Sequence, residues 1–184
     1  GNFHGQPLAA PLDYLAITLA TLAGVSDRRS FALTTPRLSY GLPADAAGPE
    51  HGNTGLMIAQ YGGAALVNQI ALLANPCSIH SVPTSADQED WVSMGMNSAL
   101  KIQSMVPLVR DVLATELLIA AQGITLTQHL LPEPQQQLGD GTGAVYQVIR
   151  KVFASEAIKP KETWFKDRYL KTELDQVSAM LADG

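Results

Sequence analysis

With 184 residues, 46% of them apolar and 16% charged, the chain has the material for one globular domain with a real core. A net charge of −5 with twelve scattered Lys and Arg argues against a nucleic-acid surface, and a single cysteine, Cys77, excludes an internal disulfide framework and fits a reducing, cytoplasmic setting. No apolar run is read as approaching the ~18 residues of a membrane span, so no membrane partner is expected.

The pattern is helical nearly throughout. Pro7 stands where a first helical turn tolerates proline, because that N–H has no partner in any case. "LDYLAITLATLAG" then repeats apolar residues at helical spacing, with a stop predicted at Gly24. Ser26 is expected to cap a short helix over "DRRSFALT". Residues 34–54 are rich in proline and glycine and predict a loop. "GLMIAQYGGAALVNQIALLAN" is a second helix, apolar on most faces and hence expected to be buried. Its Gly62-Gly63 pair permits a neighbouring helix to come close. Gln60, Asn68 and Gln69 within it are read as inter-helix hydrogen-bonding groups, since buried amides need partners.

After an irregular stretch, apolar residues from Trp91 to Ala120 step by three and four. They predict one long helix bent at Pro107 and stopped near Gly123. "LLPEPQQQLGDGTG" reads as a loop, "AVYQVIRKVFASEA" as a fourth helix and "TWFKDRYLKTELDQVSAMLADG" as an amphipathic last one. There is no strand alternation, no internal repeat and no second domain. The expectation is a single all-α domain over 1–184, a long-helix bundle with part of its apolar surface meeting other chains.

Two stretches carry candidate chemistry. In "PTSADQEDWVSMG", Ser85 and Gln88 form an S-x-x-Q capping box, and Asp87, Glu89 and Asp90 enrich a helical first turn with negative charge. The same residues also present an amide and a carboxylate, the pair a proton-handling site would use. In "GNFHG", glycines permit tight backbone geometry, Phe3 can wall a pocket, and His4 and Asn2 offer donors and acceptors; a plain turn with a packed Phe is the other reading. Four histidines, at 4, 51, 80 and 129, show no i,i+4 pair and no HExxH, so no metal is expected. "GDGTG" lacks the Lys-Ser/Thr ending and preceding strand of a phosphate loop. Cys77 reads as a small apolar filler.

"GNFHGQPLAAPLDYLAITLATLAGVSDRR", "GLMIAQYGGAALV", "SVPTSADQEDWVSMG" and "VLATELLIAAQG" together resemble, in order and spacing, the aromatic amino acid ammonia-lyases, above all their histidine-type branch. The likeness covers essentially the whole chain, and two of the four blocks lie in loops, where packing alone does not dictate sequence. It implies a helical fold assembled as a homotetramer, with each active site built from three subunits. The implied electrophile is a methylidene-imidazolone made from an internal Ala-Ser-Gly, which captures the amino acid substrate as an adduct. A base then removes a β-proton and ammonia leaves.

These 184 residues contain no Ala-Ser-Gly. They also lack the lid tyrosine that the family uses as base. The resemblance therefore implies a C-terminal portion that needs the N-terminal portion of the same enzyme and is inactive alone. By the same likeness Phe3 packs near the electrophile and substrate, Glu89 faces the substrate, and Gln88, with His4 and Asn2, lines the site. His4 and Glu89 match the histidine-type branch, and a carboxylate suits a side chain that donates N–H, such as imidazole. That branch usually reads "TSANQEDHVSMG"; here Asp87 stands for Asn and Trp91 for His. A non-catalytic helical oligomerisation module and a 2,3-aminomutase are the alternative readings.

Overall fold

The computed structural model describes residues 2–49, 52–132, 136–153 and 166–183. Among these residues five α-helices follow one another: α1 Gln6–Thr34, α2 Met57–Leu73, α3 Gly95–Leu130, α4 Asp140–Phe153 and α5 Lys171–Asp183, with a short 3-10 turn at Ala44–Ala46. Among the described residues there is no strand, only an isolated antiparallel bridge between Thr84 and Glu89. The all-α expectation holds. Parts of the expected fourth and fifth helices, residues 154–157, 163–165 and 184, lie outside the described residues, as does His51.

The helix boundaries differ from expectation for identifiable reasons. α1 does not stop at Gly24 but runs 29 residues to Thr34. Helical glycine costs only ~1 kcal/mol relative to alanine, and packing further along outweighs that. Ser26, rather than capping a new helix, is fully buried and donates its hydroxyl to Glu116 Oε2 at 2.6 Å. Arg29 grips the same carboxylate with two guanidinium N–H groups. Pro36, which disfavours helix at the residue before it, closes the element.

α3 likewise passes Gly123. That glycine serves close approach instead: a Cβ there would sit 3.3 Å from Leu42 Cδ1. The helix ends at Leu130, just before Pro132. Its start is Gly95, four residues later than expected, because residues 84–94 take another form.

The chain divides into two compact units, Gly1–Val25 with Ala65–Val109, and Ser26–Ala64 with Arg110–Gly184. In the first, Ala9, Ala16 and Ala23 of α1 are fully buried, as are Ile70 and Met105. These small side chains let backbones approach: a Cβ on Gly95 would lie 3.3 Å from Ala9 Cβ. Lys101 Nζ and Asp13 Oδ1 form a buried ion pair at 2.6 Å. The ammonium also donates to Asn75 O at 2.7 Å, and the Ser78 N–H donates to Asp13 Oδ2 at 2.7 Å. This cluster ties α1, α3 and the segment after α2 to one point.

In the second unit, Leu56 and Ala59 pack with Ala114, Leu118 and Ile119 of α3, Tyr146 and Ile149 of α4, and Val177 of α5. Gln60 Nε2 donates to Asp27 Oδ1 at 3.2 Å, the inter-helix role expected for it. Gly63 would place a Cβ 3.5 Å from Thr115 Cγ2, so the close approach expected at this pair occurs at the second glycine.

Much apolar surface is uncovered within this chain. Leu8, Tyr14 and Ile17 of α1 and Ile58, Tyr61 and Leu72 of α2 are exposed, so α2 is not the buried helix its composition suggested. α1 is also long and apolar enough, at a mean hydropathy of 1.6, to cross a membrane by length and composition. That corrects the expectation that no run approaches this length: alanine-rich turns average as apolar even where polar residues interrupt them. Asp13 lies in that same helix and is held by Lys101 from α3.

Candidate functional site

The site is assembled inside the first unit from two short segments. The first is the turn leading into α1. Gly5 N–H donates to Asn2 O at 3.0 Å, with Gly5 at φ +68°, a conformation that favours glycine. Gly5 O then accepts from Leu8 N and Ala9 N, at 2.9 and 3.0 Å, and so opens the helix. The turn leaves the Phe3 ring 86% exposed. Phe3 meets the His4 ring edge-on, with centroids 4.7 Å apart.

The second segment carries Glu89. The capping-box reading is not what forms here. Ser85, Ala86 and Asp87 have φ of +54°, +52° and +66°, so the chain makes a left-handed turn instead of a helical start. Thr84 N–H donates to Glu89 O at 2.9 Å and Glu89 N–H to Thr84 O at 3.3 Å, closing the turn, while Gln88 N–H donates to Ser85 O at 3.2 Å. Asp87 is among the residue types that tolerate this left-handed region. The acidic residues therefore do not serve the α3 dipole, whose first turn contains none.

The two segments meet at one carboxylate. Glu89 Oε2 lies 3.3 Å from His4 Nε2 and accepts the Thr84 hydroxyl at 2.7 Å. The Thr84 hydrogen bond, opposed by partial burial and reinforced by His4, holds the Glu89 carboxyl below the usual carboxylate range. Both groups meet Oε2; Oε1 has no partner among the described residues. Ser93, itself buried, donates its hydroxyl to the His4 carbonyl, so His4 is fixed through both backbone and side chain.

Of the five expected residues, Phe3, His4 and Glu89 are thus joined by direct contacts. Gln88 and Asn2 flank them in sequence, with exposed side chains that make no hydrogen bond among the described residues. Thr84 and Ser93 were missed. In the sequence they look like ordinary hydroxyls around a capping box, and only the turn's closure shows what they hold. No three His, Cys, Asp or Glu among the described residues are grouped to hold a metal. Two apolar concavities of about 310 and 370 Å³ are lined by second-unit residues, including Leu42, Gln128 and Tyr146, and contain none of the five.

The arrangement offers a carboxylate with one oxygen free, an imidazole beside it and an uncovered aromatic ring. Such a set can receive an N–H or O–H from a small polar ligand and wall its apolar part.

Comparison with known proteins gives this arrangement its family. Residues 1–151 match the aromatic amino acid lyase family. Over 184 residues the chain is 39% identical to histidine ammonia-lyase of Natranaerobius thermophilus, covering all of this chain and 34% of that protein. The crystal structure of histidine ammonia-lyase from Trypanosoma cruzi superposes with a TM-score of 0.86 at 38% identity, over all of this chain and 33% of that one. The tyrosine aminomutase of Streptomyces globisporus superposes with the same score at 30% identity, over all of this chain and 32% of its own. The chain therefore spans about a third of the length of the relatives it matches. With a family match across most of its length and the whole chain aligned to helical lyase structures, it belongs to the aromatic amino acid lyases.

Proposed function

We propose that these residues are the C-terminal part of a carbon–nitrogen lyase that eliminates ammonia from histidine or a related aromatic amino acid. The observation that carries the reading is the Glu89 carboxylate, held ionised beside His4 with Oε1 free, in a chain of this family. A carboxylate accepts the N–H of an imidazole side chain, a partner that neither the phenyl ring of phenylalanine nor an alkyl side chain offers.

The family's methylidene-imidazolone requires an Ala-Ser-Gly that these residues do not contain, so the group would come from elsewhere in the protein. The residues present suit a neighbour of that kind: Phe3 leaves a bare ring at the turn, and Gln6 Oε1 and Ser98 Oγ are buried without a hydrogen-bond partner. The electrophile, when present, supplies the activation that makes the amino group a leaving group. Phe3 would wall the substrate and exclude water. Glu89 Oε1 would accept the substrate's N–H or a proton in transfer, while His4 orients the carboxylate. Gln88 and Asn2 would add polar contacts to the substrate.

A homotetrameric, cytoplasmic assembly is part of the proposal. The exposed apolar residues of α1 and α2 suit burial between subunits. The likeness to a tyrosine aminomutase, with Trp91 standing 60% exposed two residues from Glu89, supports a second reading in which the amino group is moved rather than released.

The test uses the intact protein containing these residues. Histidine, tyrosine and phenylalanine are supplied in turn, and ammonia is measured along with the carbon product by NMR. Ammonia with an α,β-unsaturated acid supports the lyase and a β-amino acid supports the mutase. The absence of turnover on all three counts against both and favours an assembly module.

A further inference from the structure

We infer that Thr84 is a positioning residue for the substrate-facing carboxylate: with His4 it occupies Glu89 Oε2, leaving Oε1 as the one oxygen aimed at the ligand. The inference rests on the lyase reading above and deepens it, because it assigns the carboxylate's geometry to a residue outside the reacting set.

The turn over 84–89 is already closed by two backbone hydrogen bonds between Thr84 and Glu89, at 2.9 and 3.3 Å. The Thr84 hydroxyl is not needed to shut it. That hydroxyl goes instead to the Glu89 side chain at 2.7 Å, the distance of a good O–H···O⁻ bond. His4 Nε2 reaches the same oxygen from the other segment at 3.3 Å.

The Thr84 hydroxyl and the His4 imidazole on one oxygen restrict the rotation of the carboxylate plane, since swinging Oε2 away breaks the Thr84 bond and the His4 contact. The free oxygen then points in one direction, and a ligand N–H meets it without first losing the side chain's rotational freedom. Preorganisation of this kind favours binding and proton transfer alike.

The charge follows the same geometry. Thr84 is the largest influence keeping the Glu89 carboxyl ionised, and burial works against it. Among the described residues, His4 is the one charged or titratable side chain that meets this carboxylate from another segment. Asp87 and Asp90 flank it in sequence without contact among the described residues. Removing the hydroxyl therefore has a signed consequence. The folded carboxyl holds its proton more readily, and a function that needs the anion is lost at a higher pH.

The experiment uses the intact protein with Thr84→Val, Thr84→Ser, Thr84→Ala and Glu89→Gln. Two readouts are taken against pH: kcat/KM for the amino acid substrate, and calorimetric binding of 3-(imidazol-4-yl)propionate, which carries no amino group to eliminate. The expected result for Thr84→Val is a loss of about tenfold or more in kcat/KM, weaker probe binding, and an acid limb displaced to higher pH in both. Thr84→Ser restores both profiles. Adding Thr84→Val to Glu89→Gln costs nothing further, because the hydroxyl acts through the carboxylate. Thr84→Ala stands in should the valine variant not fold.

If Thr84→Val and Thr84→Ala keep wild-type profiles while Glu89→Gln is impaired, the positioning role is wrong and the lyase reading stands. If Glu89→Gln itself behaves as wild type, Glu89's role and Thr84's role both fall. If Thr84→Ser fails as badly as valine, the methyl group's packing matters rather than the hydroxyl, and the inference is overturned.

Discussion

Replacing Lys101 by methionine should loosen the segment that carries Glu89. The ammonium is 8% exposed and its partner Asp13 4% exposed, with the bond between them at 2.6 Å. Methionine retains most of the stem but leaves the Asp13 carboxylate buried with only its bonds from the 77–78 backbone and from Ser78. Removing one member of a buried ion pair typically costs ~3–5 kcal/mol, because the remaining charge is left uncompensated. The Asn75 carbonyl loses its donor as well. A second variant, Asp13→Leu with Lys101→Met, removes both charges and should recover much of the loss. Amide hydrogen exchange in the intact protein reads the effect where it occurs: residues 75–80 should exchange faster in Lys101→Met and nearer to normal in the double variant.

The pH dependence has a definite sign. Burial pushes the Asp13 carboxyl up, but the bond from Lys101 and those from Ser78 and the Cys77 backbone together overcome it and hold the group well below the usual carboxylate range. A carboxyl lowered on folding contributes stability that is fully present above its unfolded value, near ~4, and that fades as pH falls toward the folded value. The difference between wild type and Lys101→Met should therefore be largest at neutral pH and shrink below about pH 4. Equal exchange in the two proteins at neutral pH would refute this account of the pair.

On the proposed lyase reading, Glu89→Gln in the intact protein should lower turnover of histidine by ~10²–10⁴-fold, the usual scale for a proton-transfer role, with little change in melting temperature; a large melting shift with turnover per folded protein unchanged would make it a structural residue. The isolated 184-residue polypeptide should release no ammonia from histidine, phenylalanine or tyrosine, as an ammonia assay checks, because no Ala-Ser-Gly lies within it. It should self-associate through the exposed apolar residues of α1 and α2, and a monodisperse monomer in light scattering at high concentration would contradict that. Gly55→Ala should destabilise the protein by about 3 kcal/mol or more: φ is +59° and a Cβ would lie 2.5 Å from Asp45 O and 2.7 Å from Ala47 Cα, so the melting temperature should drop.

The helical class and the order of elements were legible because apolar spacing survives in sequence wherever a helix has an inside. The ends were not, and the reasons are tertiary. Gly24 reads as a stop until Ser26 and Arg29 are seen bound to Glu116, some ninety positions away. Gly123 reads as a stop until Leu42 is found against it. The family likeness singles out Phe3, His4 and Glu89, which the fold brings into contact, whereas the geometry between them was hidden by a real ambiguity. S-x-x-Q followed by acidic residues is what a capped helix start requires, and nothing local shows that Thr84 and Glu89 instead pair across a left-handed turn. Thr84 and Ser93 escaped notice for the same reason: a hydroxyl's partner is a matter of the fold.

The left-handed turn explains why the site is anchored so heavily on either side. Three successive non-glycine residues at positive φ are each disfavoured by ~1–2 kcal/mol relative to ordinary backbone, so residues 84–89 would relax if left free. They are not free. Before the turn, the Asp13–Lys101 pair with Asn75 and Ser78 fixes where the segment leaves α2, and Val92 N–H donates to Ser81 Oγ at 2.8 Å across its base. After it, Ser93 ties the segment to His4 just ahead of α3. The strained residues hold the carboxylate away from the helix start, where the dipole and a capping role would otherwise have claimed it. Its ionisation then depends on Thr84 and His4, two groups that can be changed singly, and a change in either alters the carboxylate's proton affinity and direction without disturbing α1 or α3. The ion pair and the strained turn therefore serve one end: a loop residue gains the placement of a helix residue while keeping one oxygen open.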